Sequence, residues 1–572
     1  MNAGRLSWMW IALWCVAGIG AVHAGEALPA EPCFEDWTQK VGLDKVNPAL
    51  GGTFVDINED GYPDIVFGGW EFYLNDKGKK LVRLEPQPEM VSADKNVRPH
   101  GVCFGQIANS GHLDMVMAFM NNSKSKDWKD SGRRNEVWLG DGKGHFTLKK
   151  DTGLSTAPQP TATPCLFDFD GDGKLDLFVG NWIEGDGATD SYLYKGHGDG
   201  TFEDVTEKAG LKLDATMGTR KSRRPIFSVT HTDYNNSGLQ SLAIGTYAGY
   251  WNLLFKNNGD GTFTDVGRET GYDCDVQGRI FAYGSPDFLG SANTGPAGVN
   301  VCLFSCPFAD YNCSGYMSCF QSTVRHWDIR DMDPSMLLTN MGAKNGFKFQ
   351  RDLTAIPLPT PTLNYRGAPS SWGDLHATWI DVDNDGWEDL IVASSDYPDE
   401  QILKLYHQIP GTGRFEDWTP RLGFRWVQAD GISLGDFTRD GTTDILVARS
   451  NHMRLTEEQQ KKYPLANGLF KNTIAKALGN GFFNLRLKGQ NIGARVTIRT
   501  GDHQQIREVY SCIGIGAQRN DDDCRFGVGK AKIVDEVTVR WPDRPNTVQT
   551  FKNVAPNKFY TLKKGGKLEV VP

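Results

Sequence analysis

The sequence predicts an all-β chain: a seven-bladed β-propeller followed by a small antiparallel β domain. Three observations carry this. An acidic nine-residue loop recurs along the chain, a glycine-rich hairpin motif alternates with it, and the segment at 34–43 repeats one that elsewhere follows a hairpin. The 572 residues include 65 Gly, only 39% are hydrophobic, and the net charge is −9. That is too long for one compact core and too rich in turn formers for a mostly helical protein. Short basic runs at 77–80 and 220–224 read as solvated loops, so no nucleic-acid partner is expected.

The acidic loop comes first at Asp56, Asn58 and Asp60, with Gly61, Tyr62 and a closing Asp64. It returns at Asp168, Asp170, Asp172, Gly173, Lys174 and Asp176, and at Asp381, Asp383, Asp385, Gly386, Trp387 and Asp389. An altered copy runs through Asp436, Thr438, Asp440, Gly441, Thr442 and Asp444. Oxygen side chains drawn into one tight turn repel one another unless a cation lies between them. Flexible, oxygen-only coordination suits Ca²⁺, with Gly allowing the turn. One backbone carbonyl completes the set, here that of Tyr62, Lys174, Trp387 or Thr442. An EF-hand would need a bidentate Glu at position 12 and flanking helices. Position 12 is apolar in all four loops, and the runs that follow, such as Ile65-Val66-Phe67, read as buried strands. These are Ca²⁺ loops inside β-hairpins.

Three worn copies lie between the good ones. Residues 106–114 keep the Gly and the last Asp, while 233–241 and 310–318 keep Asp, Asn, Ser and Gly but close on Ser241 and Ser318. Seven loops at intervals of 50 to 77 residues leave room for one four-stranded sheet each. The alternating motif, as in Phe255-Lys-Asn-Asn-Gly-Asp-Gly-Thr-Phe263, is a strand, a glycine turn and an aromatic that opens the next strand. No Lys-Ser/Thr and no helix follow it, which excludes a phosphate loop. Phe34-Glu-Asp-Trp-Thr matches Phe415-Glu-Asp-Trp-Thr but has no hairpin before it, and the last repeat lacks such a tail. The N-terminal segment should therefore complete the final blade and seal the ring.

These loops resemble FG-GAP/VCBS repeats over roughly 34–475, which implies an integrin-like propeller whose intact loops bind Ca²⁺. From about 481 to 572 the segments at 493–498, 525–530, 534–542 and 553–557 resemble the ASPIC/UnbV domain. That domain follows such propellers in the cartilage acidic protein family and its bacterial relatives. The resemblance implies a role in adhesion or interaction with an extracellular protein or glycan.

Arg5, an apolar run from Leu6 to Ala21 and Val22-His23-Ala24 form a secretory signal over 1–24, cleaved near Ala24. No later run is long enough for a membrane span, so the mature chain is expected to be secreted. Of eleven Cys, Cys15 leaves with the signal and ten remain, an even number suited to disulfides, with Cys512–Cys524 the first expected pair. Cys103 and Cys165, each three residues before a loop, are a second candidate. Cys302, Cys306, Cys313 and Cys319 crowd together without Cys-x-x-Cys, which favours disulfides over a metal cluster.

No nucleophile elbow, zinc signature, dinucleotide fingerprint or haem-attachment motif is present. Five residues before each loop stand Gly51, Gly101, Thr163, Ser228, Ser305, His376 and Gly431. Small residues suit strands crowded at a propeller axis. His376 is the exception and the one catalytic candidate, as base or ligand in the channel. A binding protein is therefore expected, with a propeller-face enzyme such as a polysaccharide lyase or a cyclase as the alternative.

Overall fold

A computed structural model describes residues 32–46, 51–92, 97–121, 131–184, 187–213, 223–247, 250–273, 302–324, 334–358, 373–395, 401–449, 457–464, 466–514, 516 and 519–571. The signal segment, its cleavage point, Cys15 and Cys274 lie outside the described residues.

Among the described residues, 34–472 form seven four-stranded antiparallel sheets, one of them with an extra short strand. Sheet 1 begins at Gly52–Val55, sheet 2 at Gly101–Gly105, sheet 3 at Thr161–Phe167 and sheet 4 at Ile226–Thr232. Sheets 5, 6 and 7 begin at Leu303–Ser305, Asp374–Ile380 and Gly431–Gly435. Each acidic loop joins the first strand of its sheet to the second. The second strands (Asp64–Phe67, Asp176–Asn181, Asp389–Ser394, Asp444–Arg449 and their counterparts) are almost wholly buried, as their unbroken apolar runs require. Phe34–Asp36 pairs with Ala466–Asn472, Phe34 opposite Asn472, so the N-terminal segment supplies the outer strand of sheet 7.

One device ties sheet to sheet. In five sheets an amide at the end of the third strand reaches back to a carbonyl in the acidic loop of the preceding sheet round the ring. Asn257 Nδ2 donates to Phe169 O at 2.8 Å, Asn340 Nδ2 to Tyr234 O at 2.8 Å, Gln408 Nε2 to Tyr311 O at 2.9 Å and Asn472 Nδ2 to Val382 O at 2.7 Å. Each places two polar groups in a buried seam with both satisfied. In sheets 2 and 3 the position is Gly140 and Gly196. There a Cβ would lie 2.1 Å from Leu113 O and 1.9 Å from Leu175 O, so only glycine fits.

The tail folds into two further four-stranded sheets that share one core, with Phe483, Leu485 and Phe526 from one and Val496, Ile498, Val537 and Val539 from the other. One pairing, Gly481–Lys488 with Lys558–Lys563, is parallel.

The cysteines depart from expectation. Cys512 and Cys524 are both free thiols, because they belong to different cores. Cys524 faces the tail interior, while Cys512 packs with Cys103 and Cys165 inside the propeller and donates to Val229 O at 3.2 Å. Cys103 and Cys165 are likewise free. Cys302, Cys306 and Cys319 point into two separate clusters, and Cys313 Sγ lies 3.8 Å from His503 Nε2 of the tail.

Candidate metal centres and a plugged channel

Each acidic loop is built the same way from its backbone. The first Asp accepts N–H groups across the turn: Asp60 and Gly61 donate to Asp56 at 3.1 and 2.9 Å, Asp385 and Gly386 to Asp381 at 3.0 Å each. In the fourth copy Asp440 and Gly441 donate to Asp436 at 3.0 and 2.7 Å. The residue after Gly donates to the third acid, so Tyr62, Lys174, Trp387 and Thr442 turn their N–H groups onto Asp60, Asp172, Asp385 and Asp440. The glycines here have positive φ, 94° at Gly61 and 98° at Gly386, a region closed to most side chains.

The closing Asp holds three strands of chain together. Asp64 accepts Ile57 N–H at 3.0 Å and Asn75 N–H at 2.7 Å; Asp389 accepts Val382 N–H at 3.0 Å and Gln408 N–H at 2.7 Å. Asp176 and Asp444 repeat this pattern. So does Asp114 in the worn loop of sheet 2, where no other acid remains. Ser241 and Ser318 keep one of the two bonds, to Asn257 N–H and Asn340 N–H. The closing acid is thus a structural staple as well as a candidate ligand.

Oxygen atoms converge most tightly in two loops. Ligand atoms of Asp168, Asp170 and Asp176, and those of Asp381, Asp383 and Asp385, lie within 4.8 Å of one another. Asp383 and Asp389 form a third such group with His407, a residue sequence reasoning passed over. His407 Nε2 is 3.3 Å from Asp383 Oδ2, its ring stacked on Trp418 at 3.7 Å. Burial, followed by repulsion from the neighbouring carboxylates, raises the pKa values of Asp381, Asp385 and Asp389 well above the ordinary range. Burial also lifts Asp168 to about 7 and Asp64 to about 8. Crowded, desolvated carboxylates with these oxygens facing one another fit a hard divalent cation such as Ca²⁺, whose charge would hold them ionised. Asp56, Asn58 and Asp60 are hydrogen-bonded within their own turn, and Asp56 is also paired with Arg486 of the tail. In the 168–176 loop the part-exposed Lys195 pairs with Asp170 and, at 3.1 Å, with Asp172.

In the 436–444 loop a lysine of the third strand reaches the acids. Lys471 Nζ lies 3.0 Å from Asp440 Oδ1, 3.0 Å from Asp444 Oδ1 and 3.0 Å from Asn472 O, and also contacts Thr442 Oγ1. Burial raises the Asp444 carboxyl and Lys471 opposes it, leaving a pKa of about 6, while Asp440 is drawn down to about 2 by Lys471 and Lys476 against the effect of burial. Thr438 adds no charge, and its hydroxyl has no hydrogen-bond partner among the described residues.

The tail covers the loop-bearing end of the propeller. Arg486 pairs with Asp56 and Asp523, Arg540 with Asp233, and Arg507 with Glu388 at 2.8 Å. Gly527 N–H donates to Asp381 Oδ2 at 3.1 Å, and His503 Nε2 sits 2.9 Å from Gly386 O.

From there the described residues 511–514, 516 and 519–521 enter the channel. Its contacts run round the inner strands. Ser511 Oγ accepts Leu166 N–H at 3.0 Å, Thr163 Oγ1 donates to Gly514 O at 3.1 Å, and Arg519 Nη1 donates to Phe104 O at 3.1 Å. Asn520 Oδ1 accepts Leu434 N–H at 3.0 Å while its Nδ2 donates to Thr378 Oγ1 at 3.0 Å. His231, buried and with its pKa lowered by burial, donates from Nδ1 to Gln240 Oε1 and accepts Ser511 N–H at Nε2. Glycine is needed in the plug: a Cβ on Gly514 would stand 2.8 Å from Ser305 Cβ, and one on Gly516 3.0 Å from His100 O. The small residues before each loop therefore make room for the tail. The signal was present in Cys512-Ile-Gly-Ile-Gly-Ala517, too apolar for a surface loop.

His376 is fully buried, neither ring nitrogen has a hydrogen-bond partner among the described residues, and burial pushes its pKa down to about 3. A group so placed is neutral and out of reach of solvent.

Sheets arranged and bridged in this way define an all-β propeller. FG-GAP-like repeats match at residues 107–179, 168–222 and 381–447, and ASPIC and UnbV at 486–569, so the chain carries FG-GAP-like repeats and a C-terminal ASPIC/UnbV domain. Among solved structures it is similar to the GH74 xyloglucanase from Xanthomonas campestris, with 11% identity, TM-score 0.40, 91% of this chain and 68% of that one covered. It is also similar to BBS1N in complex with ARL6DN, at 10% identity and TM-score 0.39, covering 77% and 98%. Regucalcin from Agrobacterium tumefaciens, titled a calcium-binding protein, matches at 10% identity and TM-score 0.31, covering 66% and 90%. No match was found among curated protein sequences. No helix among the described residues is long and apolar enough to cross a membrane.

Proposed function

We propose that this chain is a secreted, calcium-binding propeller that acts in adhesion, holding an extracellular protein or glycan, after removal of a signal near Ala24. FG-GAP-repeat proteins are typically extracellular, which supports the address. The crowded acids at 381–389, together with those at 168–176 and 56–64, support the metal.

The observation that carries the reading is the plug. With one mouth covered by the tail and the channel filled at Thr163, Thr378 and Leu434, the face left for a partner is the opposite one. Second and fourth strands end there and third and inner strands begin there, so the chain leaves sheets 4 and 5 at Asp265 and Asp352 and enters sheets 5 and 6 at Leu303 and Asp374 on that face. Long connections on a rigid scaffold are where binding surfaces are built. Trp182, Phe227, Tyr247 and Phe304 pack against one another at its base, mostly edge to face, with ring centroids 4.8 to 6.0 Å apart. Calcium at the far loops would then stiffen the ring that displays this face.

The test is a binding screen of mature protein against glycans and extracellular-matrix proteins, with Ca²⁺ and with EDTA. Calcium-dependent binding that Phe304→Ala weakens and Arg486→Ala spares is expected. Turnover of a polysaccharide without retention would favour the enzyme reading.

A further inference from the structure

The calcium reading, on which this inference rests, treats the four acid-rich loops alike, yet the third strand does not bring the same surroundings to each. One residue beyond the pairs Ile65–Tyr73, Leu177–Tyr194, Leu390–Tyr406 and Ile445–Phe470 stand Leu74, Lys195, His407 and Lys471, each in line with the closing acid in the strand register. Lys195 is 29% exposed and can swing away from Asp170 and Asp172 into water. Lys471 is 7% exposed.

An ammonium has three N–H donors. That of Lys471 is surrounded by four loop and strand oxygens, from Asp440, Thr442, Asp444 and Asn472. A calcium ion ligated by Asp440 and Asp444 would need those same oxygens at about 2.3–2.6 Å, which places it against the ammonium. Two cations cannot share that space. Nor can the strand yield: Lys471 is held between Phe470, opposite Asp36, and Asn472, which bridges to Val382 O at 2.7 Å. Lys476 Nζ adds a second ammonium at 2.7 Å from Asp440 Oδ2. The three acids of this loop thus meet two lysines, whereas the 381–389 loop has His407 in the equivalent place.

We propose that the Lys471 ammonium is the resident cation of the 436–444 loop, so that this loop excludes Ca²⁺ and clasps sheet 7 without metal. Calcium would then serve the other loops while the sheet that closes the ring stays locked in its absence.

The test is a calorimetric Ca²⁺ titration of the EDTA-stripped, desalted full chain. Lys471→Met is expected to bind one more Ca²⁺ than the wild type; equal counts overturn the proposal. If Lys471→Met fails to fold, reductive methylation of the wild type, read by peptide mass spectrometry, decides. Lys471 should stay unmodified with Ca²⁺ and with EDTA alike, and methylation that requires Ca²⁺ means the ion displaces it. A wild type that takes up no Ca²⁺ defeats the calcium reading, but a site gained by Lys471→Met still upholds this one.

Discussion

Asn75 Nδ2 donates to Phe437 O at 2.8 Å, joining the first sheet of the propeller to the last. The same amide donates to Pro63 O at 3.0 Å. Asn75→Ala would leave two buried carbonyls without a donor at the ring's closure, at a cost of about 2–3 kcal/mol. Urea denaturation should show a lower midpoint. Asn258→Ala, at an exposed turn in the equivalent motif, should shift it little.

Two kinds of acid should separate on chelation. Asp114 closes a loop with no other acid and accepts Ala108 N–H at 2.8 Å and Gly140 N–H at 3.0 Å. Asp114→Ala should therefore lower the melting temperature by the same amount in Ca²⁺ and in EDTA. Wild type itself should melt lower in EDTA, since a ligand bound only to the folded state stabilises it by several kcal/mol at about 1,000 times Kd. Asp385→Ala should remove part of that difference. A chelator response untouched by Asp385→Ala would place the metal elsewhere.

Much of this was legible in the sequence, for a physical reason. A loop that must turn sharply and gather oxygens fixes its residues locally, so Asp56 to Asp64 declare themselves in nine positions. Ring closure was legible too, because Phe34-Glu-Asp repeats Phe415-Glu-Asp. What escaped depends on residues far apart in the chain. Cys512 meets Cys103 and Cys165 only because the tail enters the channel, and Lys471 meets Asp440 across a hairpin whose register no motif states. His376 looked like a channel residue with chemistry. The plug makes the channel an interior.

That burial gives His376 a measurable consequence. Its pKa falls from an ordinary value of roughly 6.5 to about 3 through desolvation alone. The fold therefore favours the neutral ring. This contribution is complete above pH 6.5 and is lost as the pH falls from there toward 3, because the unfolded chain takes up the proton first. At pH 5 the loss is about 2 kcal/mol. His376→Leu should be destabilising or neutral at pH 7.5 and become relatively more stable than wild type at pH 5. A stability difference that does not change with pH would mean the ring reaches water.

The last prediction concerns how the tail is held. Gly527 lies so close to the 381–389 loop that a Cβ there would stand 2.1 Å from Asp381 Oδ2 and 2.4 Å from the backbone of Asn384. Backbone contact makes the fit tight, since Gly527 N–H donates to Asp381 and Gly529 N–H to Asn384 O at 2.9 Å. Gly527→Ala cannot be absorbed by a side-chain rotation and should cost about 1–3 kcal/mol, spent at the seam between propeller and tail. The tail's own core, around Phe483, Val496 and Trp541, is untouched by the change. The expected result is local release: faster limited proteolysis between the last propeller strand and Gly481, with both halves still folded by circular dichroism. Because Asp381 is also a candidate ligand, added Ca²⁺ should alter the cleavage rate of the wild type more than that of the variant. Cleavage as slow as in wild type would show that the arginine pairs at Asp56 and Asp233 hold the tail on their own.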